Sequence, residues 1–232
     1  MRRRKREQQA AAAQDETPSP VPVAPEGRPD GPWDRSEKEP SDRHVDLGSL
    51  LVRGRVGIEL RVPKEGENTP TAVVLLTEDS GLELRAFAAP RSGGLWDDVR
   101  PEMAQEVERR DGTYEEVEGP YGTELHVRVP AKTPDGEAGV QPTRIVVVEG
   151  PRWMLRATFL GRAALEPSDD GILAETLRDT IVVRGPEPRL AREALPIQAK
   201  GLVSPEEAPE DGPGDDGDAA PEASSDDGEP QS

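Results

Sequence analysis

The sequence predicts an α+β fold, in which a mainly antiparallel sheet of seven to eight strands has two helices packed on one face. Most apolar segments in the middle of the chain have strand length, and several of them alternate with polar residues. Only two segments have helical spacing. The strands follow one another in groups instead of alternating with helices, which argues against a parallel sheet.

Three strands are predicted before the first helix. Residues 56–62 alternate apolar and charged side chains, which is typical of a half-buried strand. Residues 71–76 form a continuous apolar run that predicts a central strand, and residues 82–87 alternate again. The turn at 78–81 joins the last two strands, and we expect Gly81 to adopt a positive φ there.

After these strands, the spacing of the apolar residues changes to that of a helix. Asp97 or Asp98 is the predicted N-cap, and Pro101 is expected in the first turn, where the missing N–H costs nothing. The apolar stripe recurs every four residues. It consists of Val99, Met103 and Val107. Asp111 and Gly112 are expected to end the helix.

Two hairpins follow this helix in the predicted order. Residues 114–118 and 122–129 form the first one. Residues 143–149, the most hydrophobic strand, pair with residues 153–160 to form the second one at the centre of the sheet.

A second helix and a last strand complete the predicted domain. Ser168 is the expected N-cap of this helix, with Asp169 and Asp170 favouring the helix dipole in the first turn. Residues 180–183 form the last strand, and the segment up to Ile197 lies across the domain. The resulting order, βββ-α-ββ-ββ-α-β, loosely resembles the Mog1/PsbP-like sandwich, and this analogy carries no function.

The composition predicts one domain with two disordered tails. The chain has 23 glycines, 25 prolines and only 33% hydrophobic residues, so it cannot be packed throughout. Residues 1–45 are rich in Pro, Glu, Gln and Ala and begin with a basic cluster. Residues 201–232 carry eleven acidic and no basic side chains. The single domain is therefore assigned to residues 46–200. Trp33, in the first tail, can either dock on the domain or stay exposed.

The location expected from the sequence is the cytoplasm. There is no cysteine, no apolar run approaches the roughly 20 residues of a membrane span, and the segment after the basic start is too polar for a signal peptide. The domain is acidic and has few aromatic residues, so nucleic-acid binding is not expected.

Five stretches, together with residues 31–34 and 195–196, resemble an uncharacterised actinobacterial family, the domain of unknown function 3710. The five stretches are 46–50 (Asp-Leu-Gly-Ser-Leu), 86–96, 118–122, 150–156 (Gly-Pro-Arg-Trp-Met-Leu-Arg) and 182–185 (Val-Val-Arg-Gly). The resemblance covers roughly residues 31–200. It implies a cytosolic bacterial protein with no assigned activity, and so it transfers no catalytic or binding residue.

Reactive groups are scarce in this sequence. The two histidines, His44 and His126, have no ligand-spaced partner, and there is no cysteine, so neither a metal nor a cofactor is expected. His126 is out of phase with the apolar residues of its strand. Ser92 lies in a glycine-rich loop without the Gly-x-Ser-x-Gly motif. No catalytic residue is assigned.

Two segments are candidates for binding a ligand or a partner. Arg91, Gly93 and Gly94 lead into the first helix, where free N–H groups attract anions, although two aspartates follow. Arg152 and Arg156 lie on one face of a strand, where their guanidinium groups suit a carboxylate or phosphate. Trp96 is a candidate wall of the same cleft.

The leading functional hypothesis from the sequence is a non-enzymatic module that binds an unknown protein partner. A folded core without a reactive constellation, and tryptophan-bearing motifs of the kind that anchor interfaces, favour it. The alternative is a sensor for a small anion or nucleotide that uses the arginines and the glycine turn. An enzyme is the third possibility. The sequence does not indicate an oligomeric state.

Overall fold

Two β-sheets and three helices make up the described part of the chain, which comprises residues 27–63, 69–132, 135–168 and 170–198 of this computed structural model. The first six strands are β1 (Trp33–Asp34), β2 (His44–Asp46), β3 (Leu50–Arg53), β4 (Glu59–Arg61), β5 (Val73–Leu76) and β6 (Ser80–Ala88). After these come α1 (Leu95–Arg109), β7 (Thr113–Gly119), β8 (Gly122–Lys132), β9 (Ala138–Gly150), β10 (Trp153–Gly161), α2 (Arg162–Leu165), α3 (Ile172–Asp179) and β11 (Ile181–Val182).

The sheet topology confirms the predicted α+β class. The larger sheet has the order β4-β5-β6-β10-β9-β8-β7, and all its neighbours are antiparallel. The hairpin β9–β10 lies near its centre, as predicted. A smaller sheet, not expected from the sequence, has the order β1-β11-β3-β2, with β1 and β11 parallel. The one-turn helix α2 was also missed.

The two faces of the larger sheet are covered by different elements. α1 packs on one face, where its Leu95, Trp96 and Val107 form a cluster with side chains from the sheet, including Val127 and Met154. Trp153 points to the opposite face, and its Nε1 donates to Asp34 of the smaller sheet at 2.8 Å. α3 lies on this second face, since its Ala174 and Leu177 line a cavity together with Phe159, which is on the same side of β10 as Trp153. The helices therefore do not share one face, because central strands that are apolar on both faces need cover on both.

Several local predictions for the strands need correction. Residues 56–62 contribute only the short strand β4, since Val56 is 99% exposed. β5 lies next to the edge strand β4 instead of at the centre. Gly81 pairs with Leu76 inside the β5–β6 ladder and does not have a positive φ. The chain reverses one residue earlier, where the Thr77 N–H donates to the Ser80 carbonyl at 2.9 Å.

The first helix begins earlier than predicted. Gly94, with a φ of 78°, is its N-cap, so Asp97 and Asp98 lie in the first turn. Pro101 consequently lies inside the helix instead of in its first turn. The predicted end is confirmed: Asp111 has a φ of 56° just beyond the last turn.

The second predicted helix also begins at a glycine. Gly171 is the N-cap of α3, and Ser168 instead accepts a hydrogen bond from the Gly171 N–H through its backbone carbonyl. Asp170 precedes the helix, and Asp169 lies outside the described residues. Glu175 is the acidic side chain in the first turn. The last predicted strand is β11, which joins the smaller sheet.

Packed structure begins well before the predicted boundary at residue 46. Trp33 is half-buried in β1, and its backbone N–H donates to the Thr180 carbonyl at 2.9 Å. Arg28 is only 3% exposed; it stacks over the Trp153 ring at 5.0 Å and binds Glu37 through two hydrogen bonds of 2.7 Å. These contacts, and the pairing of β2 with β3, show that folded structure begins before residue 46. Of the predicted tails, residues 1–26 of the first and all of the second, residues 201–232, lie outside the described residues.

The segment that precedes residue 198 connects the two sheets, as its predicted course across the domain requires. The Leu195 N–H donates to the Ala86 carbonyl at 2.8 Å, which extends the pairing of β6. The Gln198 N–H then donates to the Leu47 carbonyl at 2.9 Å, at the turn before β3.

None of the described helices has the length and apolar character that a membrane span requires.

Candidate anion-binding site

A cavity of about 220 Å³ lies where the segments before β3, after β11 and before residue 198 meet. We call it the Arg184 pocket. It is lined by Gly48, Ser49, Val183, Arg184, Gly185, Glu187, Arg189, Leu195, Pro196 and Gln198. The backbone fixes its walls, because the Val183 N–H donates to the Ser49 carbonyl at 2.8 Å. The pocket is therefore built from parts of the chain that are distant in sequence.

Three buried polar atoms of this pocket lack hydrogen-bond partners within the described part of the chain. They are the Ser49 hydroxyl and the Nε atoms of Arg184 and Arg189. Ser49 and Arg184 are only 6% and 9% exposed. A buried donor that is left without an acceptor costs about 1–3 kcal/mol, and such groups are rare in native proteins. An unpartnered Nε is not special by itself, since Arg55 and Arg156 have one too. The presence of three such residues around one cavity is what indicates a pocket that can hold an acceptor.

Arg184 is buried, and two other arginines act on its charge. Burial lowers the pKa of Arg184, and the positive charges of Arg152 and Arg189 lower it further. Glu187 and Glu193 act in the opposite direction. Arginine nevertheless stays protonated at neutral pH, so the three guanidinium groups repel one another. An anion between them would relieve this repulsion.

Arg184 is held in place by the backbone of its own loop. Its Nη1 donates to the carbonyls of Gly185 and Glu187. Arg189 donates through Nη1 to Glu193 at 2.7 Å. Both guanidinium groups are thereby positioned through Nη1, while their buried Nε atoms have no hydrogen-bond partner among the described residues. Fixed donors of this kind suit the recognition of carboxylate and phosphate oxygens.

Arg152 occupies a backbone position that normally favours glycine. It is the second residue of the Pro151–Arg152 turn between β9 and β10, and its φ is 64°. A positive φ costs a non-glycine residue roughly 1–2 kcal/mol. Within the described residues, no hydrogen bond or salt bridge of the Arg152 side chain offsets this cost. Strain of this kind often marks a functional position.

The structure fills the predicted anion-binding turn with a carboxylate of the protein itself. Glu149 of β9 accepts hydrogen bonds from the Gly94 N–H at 2.9 Å and from the Trp96 N–H at 3.0 Å. Trp96 is buried, and its Nε1 donates to the Thr123 carbonyl at 2.7 Å. Gly93, Gly94 and Trp96 are thus gathered around Glu149, which caps α1 from the neighbouring sheet.

The predicted arginines have different environments. Arg156 lies on the face of β10 that carries Met154; it donates to Glu83 at 3.0 Å and stacks over the Phe87 ring at 5.7 Å. Arg152 precedes β10, and its positive charge contributes to lowering the pKa of Arg184. Arg91 is exposed in the loop before α1. Of these three, Arg152 is the one whose charge acts on the Arg184 pocket.

Sequence reasoning missed Ser49, Arg184 and Arg189. Ser49 and Arg184 nevertheless lie in the stretches 46–50 and 182–185, which carry the family resemblance, and the pocket-lining residues Leu195 and Pro196 form a third such stretch. Arg184 is the only charged residue of its stretch, and this isolated charge between apolar residues and a glycine could have marked it as a candidate binding residue. The sequence contains no sign that these stretches meet.

The two histidines have structural roles. His44 Nδ1 accepts from the Ser41 N–H at 3.0 Å, and its Nε2 lies 3.1 Å from the Asp179 carbonyl oxygen. His126 Nε2 lies 3.6 Å from the carboxylate of Glu124. In the part of the chain that the structure describes, no cluster of three or more His, Asp or Glu side chains is placed to hold a metal ion.

Comparison with known proteins gives a family but no activity. No curated protein matches the chain. A crystal structure of a protein from Bacteroides thetaiotaomicron VPI-5482 is 13% identical, with a TM-score of 0.35. The match covers 60% of this chain and 47% of that one, so the chain spans about half of its length, and a likeness this distant supports no conclusion. The family model for proteins of unknown function DUF3710 matches residues 31–205, and the chain therefore belongs to the DUF3710 family.

Proposed function

We propose that this protein is a non-catalytic binding module for a small anion, and that the Arg184 pocket holds a phosphate or carboxylate group. The observation that carries this proposal is that three residues lining one cavity, Ser49, Arg184 and Arg189, each have a buried polar atom without a hydrogen-bond partner among the described residues. An oxyanion accepts hydrogen bonds from all three and is attracted by the surrounding arginines. Arg152 adds a further positive charge.

The size of the pocket narrows the ligand. Pockets for drug-sized molecules usually measure roughly 300–1,000 Å³, and this one measures about 220 Å³. It accommodates a free anion or the charged end of a larger molecule, whereas a whole nucleotide does not fit. The nucleotide form of the sensor hypothesis is therefore the less favoured one.

Inorganic phosphate is the first probe. Phosphate at millimolar concentration, compared with chloride at equal ionic strength, should raise the melting temperature of the wild type, because a ligand that binds only the folded state stabilises it. Arg184→Gln should abolish the increase. The matched control is Arg156→Gln, which removes a guanidinium group that is bound to Glu83 and should leave the increase intact.

The proposal would be contradicted if Arg184→Gln and the wild type showed the same increase in melting temperature. It would also be contradicted if the melting temperature of the wild type did not change at tens of millimolar phosphate and acetate.

The second candidate function is recognition of a protein partner. Leu190, which is 81% exposed and directly follows Arg189, favours it. A module that recognises only a protein partner would show no response to free phosphate. The cytoplasmic location and the actinobacterial origin stay predictions.

A further inference from the structure

A second cleft lies between α3 and the larger sheet. Two cavities, of about 610 and 430 Å³, share Arg144, Phe159 and Ala174 as lining residues. We call them together the Arg144 cleft. Phe159 is on the same side of β10 as Trp153, so the cleft lies on the face of the sheet opposite α1. None of its lining residues belongs to the Arg184 pocket.

The floor of the cleft contains a buried ion pair. Arg144 donates through Nε and Nη2 to Glu124 at 2.6 and 3.0 Å, and the two residues are 6% and 2% exposed. Burying two charges is costly, and apolar residues of the same size are often at least as stabilising. A Cβ at Gly119 would lie 2.0 Å from the Glu124 carboxylate, so glycine at this position makes room for it. Stability alone therefore does not explain the pair.

Arg144 keeps one donor group free. Phe159 lies beneath its guanidinium group at 5.2 Å, and Glu124 occupies two of its nitrogens. The third nitrogen, Nη1, has no hydrogen-bond partner among the described residues. Because Arg144 lines both cavities, this nearly buried side chain, held by Glu124, can offer a rigid donor to a ligand there.

The charges around the cleft do not favour an anion. Glu124 neutralises Arg144, and the remaining basic side chains at the walls are Arg162 and Arg178. The acidic side chains are more numerous. They are Glu78, Asp79 and Glu166 on one side and Asp30 and Asp170 on the other. An uncharged ligand avoids repulsion from these carboxylates.

The walls are otherwise apolar and continue to the surface. Val146, Leu173 and Leu177 line the interior together with Phe159. Ile172, a lining residue, is 36% exposed. Leu165, the last residue of α2, directly precedes the lining residue Glu166 and is 61% exposed. Exposed apolar side chains next to a cavity are typical of a ligand entrance.

We propose that the Arg144 cleft binds an uncharged small molecule with a largely apolar body, whose carbonyl oxygen accepts a hydrogen bond from Arg144 Nη1. The apolar walls take up the body of the molecule, and the single fixed donor orients it. An arginine paired with Glu124 suits this role, because Arg144 supplies the donor while Glu124 neutralises its charge.

The uncharged dye Nile red, which has an apolar ring system and one carbonyl group, is a suitable probe. The full chain should bind it saturably with one site, and its fluorescence should increase as it leaves water. Ala174→Phe places a ring where the two cavities meet and should abolish this saturable binding. Ala163→Phe, at the wall of the larger cavity, is the second variant in case the first one does not fold. Circular dichroism and the melting temperature establish that each variant is folded.

Two controls separate this proposal from its alternatives. Ala138→Phe adds the same ring at an exposed position of β9 and should bind Nile red like the wild type. Arg144→Lys keeps a positive charge beside Glu124 but removes the free nitrogen, and should weaken binding about tenfold. Arg184→Gln should have no effect, so the two binding proposals fail independently.

Unchanged binding by a folded Ala174→Phe or Ala163→Phe variant would overturn the proposal, as would the absence of saturable binding to the wild type. Unchanged binding by Arg144→Lys would remove Arg144 Nη1 from the recognition of the ligand and so overturn the proposed polar contact.

Discussion

At the scale of single residues, arginine side chains distinguish this protein. Arg28, Arg144 and Arg184 are almost fully buried, which is rare for a charged residue unless it is paired. Arg28 is satisfied by Glu37 and stacks on Trp153, and Arg144 is paired with Glu124. Arg184 differs, because its neighbours include two further arginines and its Nε is unpartnered. This contrast supports a ligand at Arg184.

The positive φ of Arg152 leads to a prediction in which stability and binding change in opposite directions. Arg152→Gly should raise the free energy of unfolding by about 0.5 kcal/mol, since the relief of backbone strain exceeds the entropy that a glycine loses on folding. It should also weaken phosphate binding about fivefold, because one positive charge is removed. Urea denaturation and a phosphate titration measure the two effects.

Arg152→Ala is the matched control, since it removes the charge and keeps the strain. It should weaken phosphate binding to the same extent without increasing stability. If Arg152→Gly were less stable than Arg152→Ala, the assignment of strain to this turn would be wrong.

At the scale of elements, charged side chains from elsewhere in the chain stabilise one end of α1 and one end of α3. Glu149 of β9 caps α1 at Gly94, which is why the aspartates predicted as N-caps are not needed there. At the last residue of α3, Asp179 binds Arg53 at 2.8 Å and Arg55 at 2.6 Å, with Lys38 at 3.5 Å. A carboxylate at a helix C-terminus is unfavourable for the helix dipole, and these cations offset it.

The cations around Asp179 make the stability of the protein depend on pH. Burial alone would raise the pKa of Asp179, but the hydrogen bond from Arg53 and the charges of Lys38, Arg53 and Arg55 outweigh it and lower the pKa. Because the folded-state pKa lies below the unfolded-state value of about 3.9, this stabilisation is fully present above pH ~4 and is lost as the pH falls through the folded-state pKa.

Asp179→Asn should therefore lower the free energy of unfolding at pH 7 by about 1–3 kcal/mol, since it leaves the cations without a carboxylate. The difference from the wild type should shrink below pH 4. Urea denaturation at several pH values measures it. Asp135→Asn, at an exposed carboxylate, should change stability by less than about 0.5 kcal/mol at each pH. A difference that stays constant down to pH 3 would show that Asp179 acts through its shape instead of its charge.

At the scale of the whole molecule, the segment before residue 46 completes the core. Asp34 accepts from Trp153 Nε1, and Arg28 covers the Trp153 ring, so the central hairpin of the larger sheet is closed by residues that the composition assigns to a tail. Gly150 belongs to the same arrangement, because a Cβ there would lie 2.1 Å from the ring of Trp153.

Two truncations test where the domain begins. A variant that starts at residue 27 should keep the melting temperature of the full chain within about 2 °C. A variant that starts at residue 46 loses β1 and the contacts of Arg28 and Asp34 with Trp153. Several kcal/mol of lost charged hydrogen bonds and packing should lower its melting temperature by roughly 10 °C or more. Equal melting temperatures would contradict the packing role of this segment.

The local periodicity of the sequence was sufficient for the class of fold and for most elements. Alternation predicted β6 and β8 with their inward side chains, the apolar run of β9 and the strand after it predicted the central hairpin, and Asp111 marked the end of α1. These features depend on burial pattern and turn chemistry within a few residues, which a single segment of sequence contains.

Only the tertiary structure decided how the candidate site is assembled. The Arg184 pocket joins Ser49, Arg184, Arg189 and the segment before residue 198, and the smaller sheet that brings the first two together was not predicted. The glycine turn before α1 has the sequence of an anion site, yet Glu149 occupies it. Such outcomes depend on contacts between residues far apart in the chain, and periodicity contains no information about which distant segments pair.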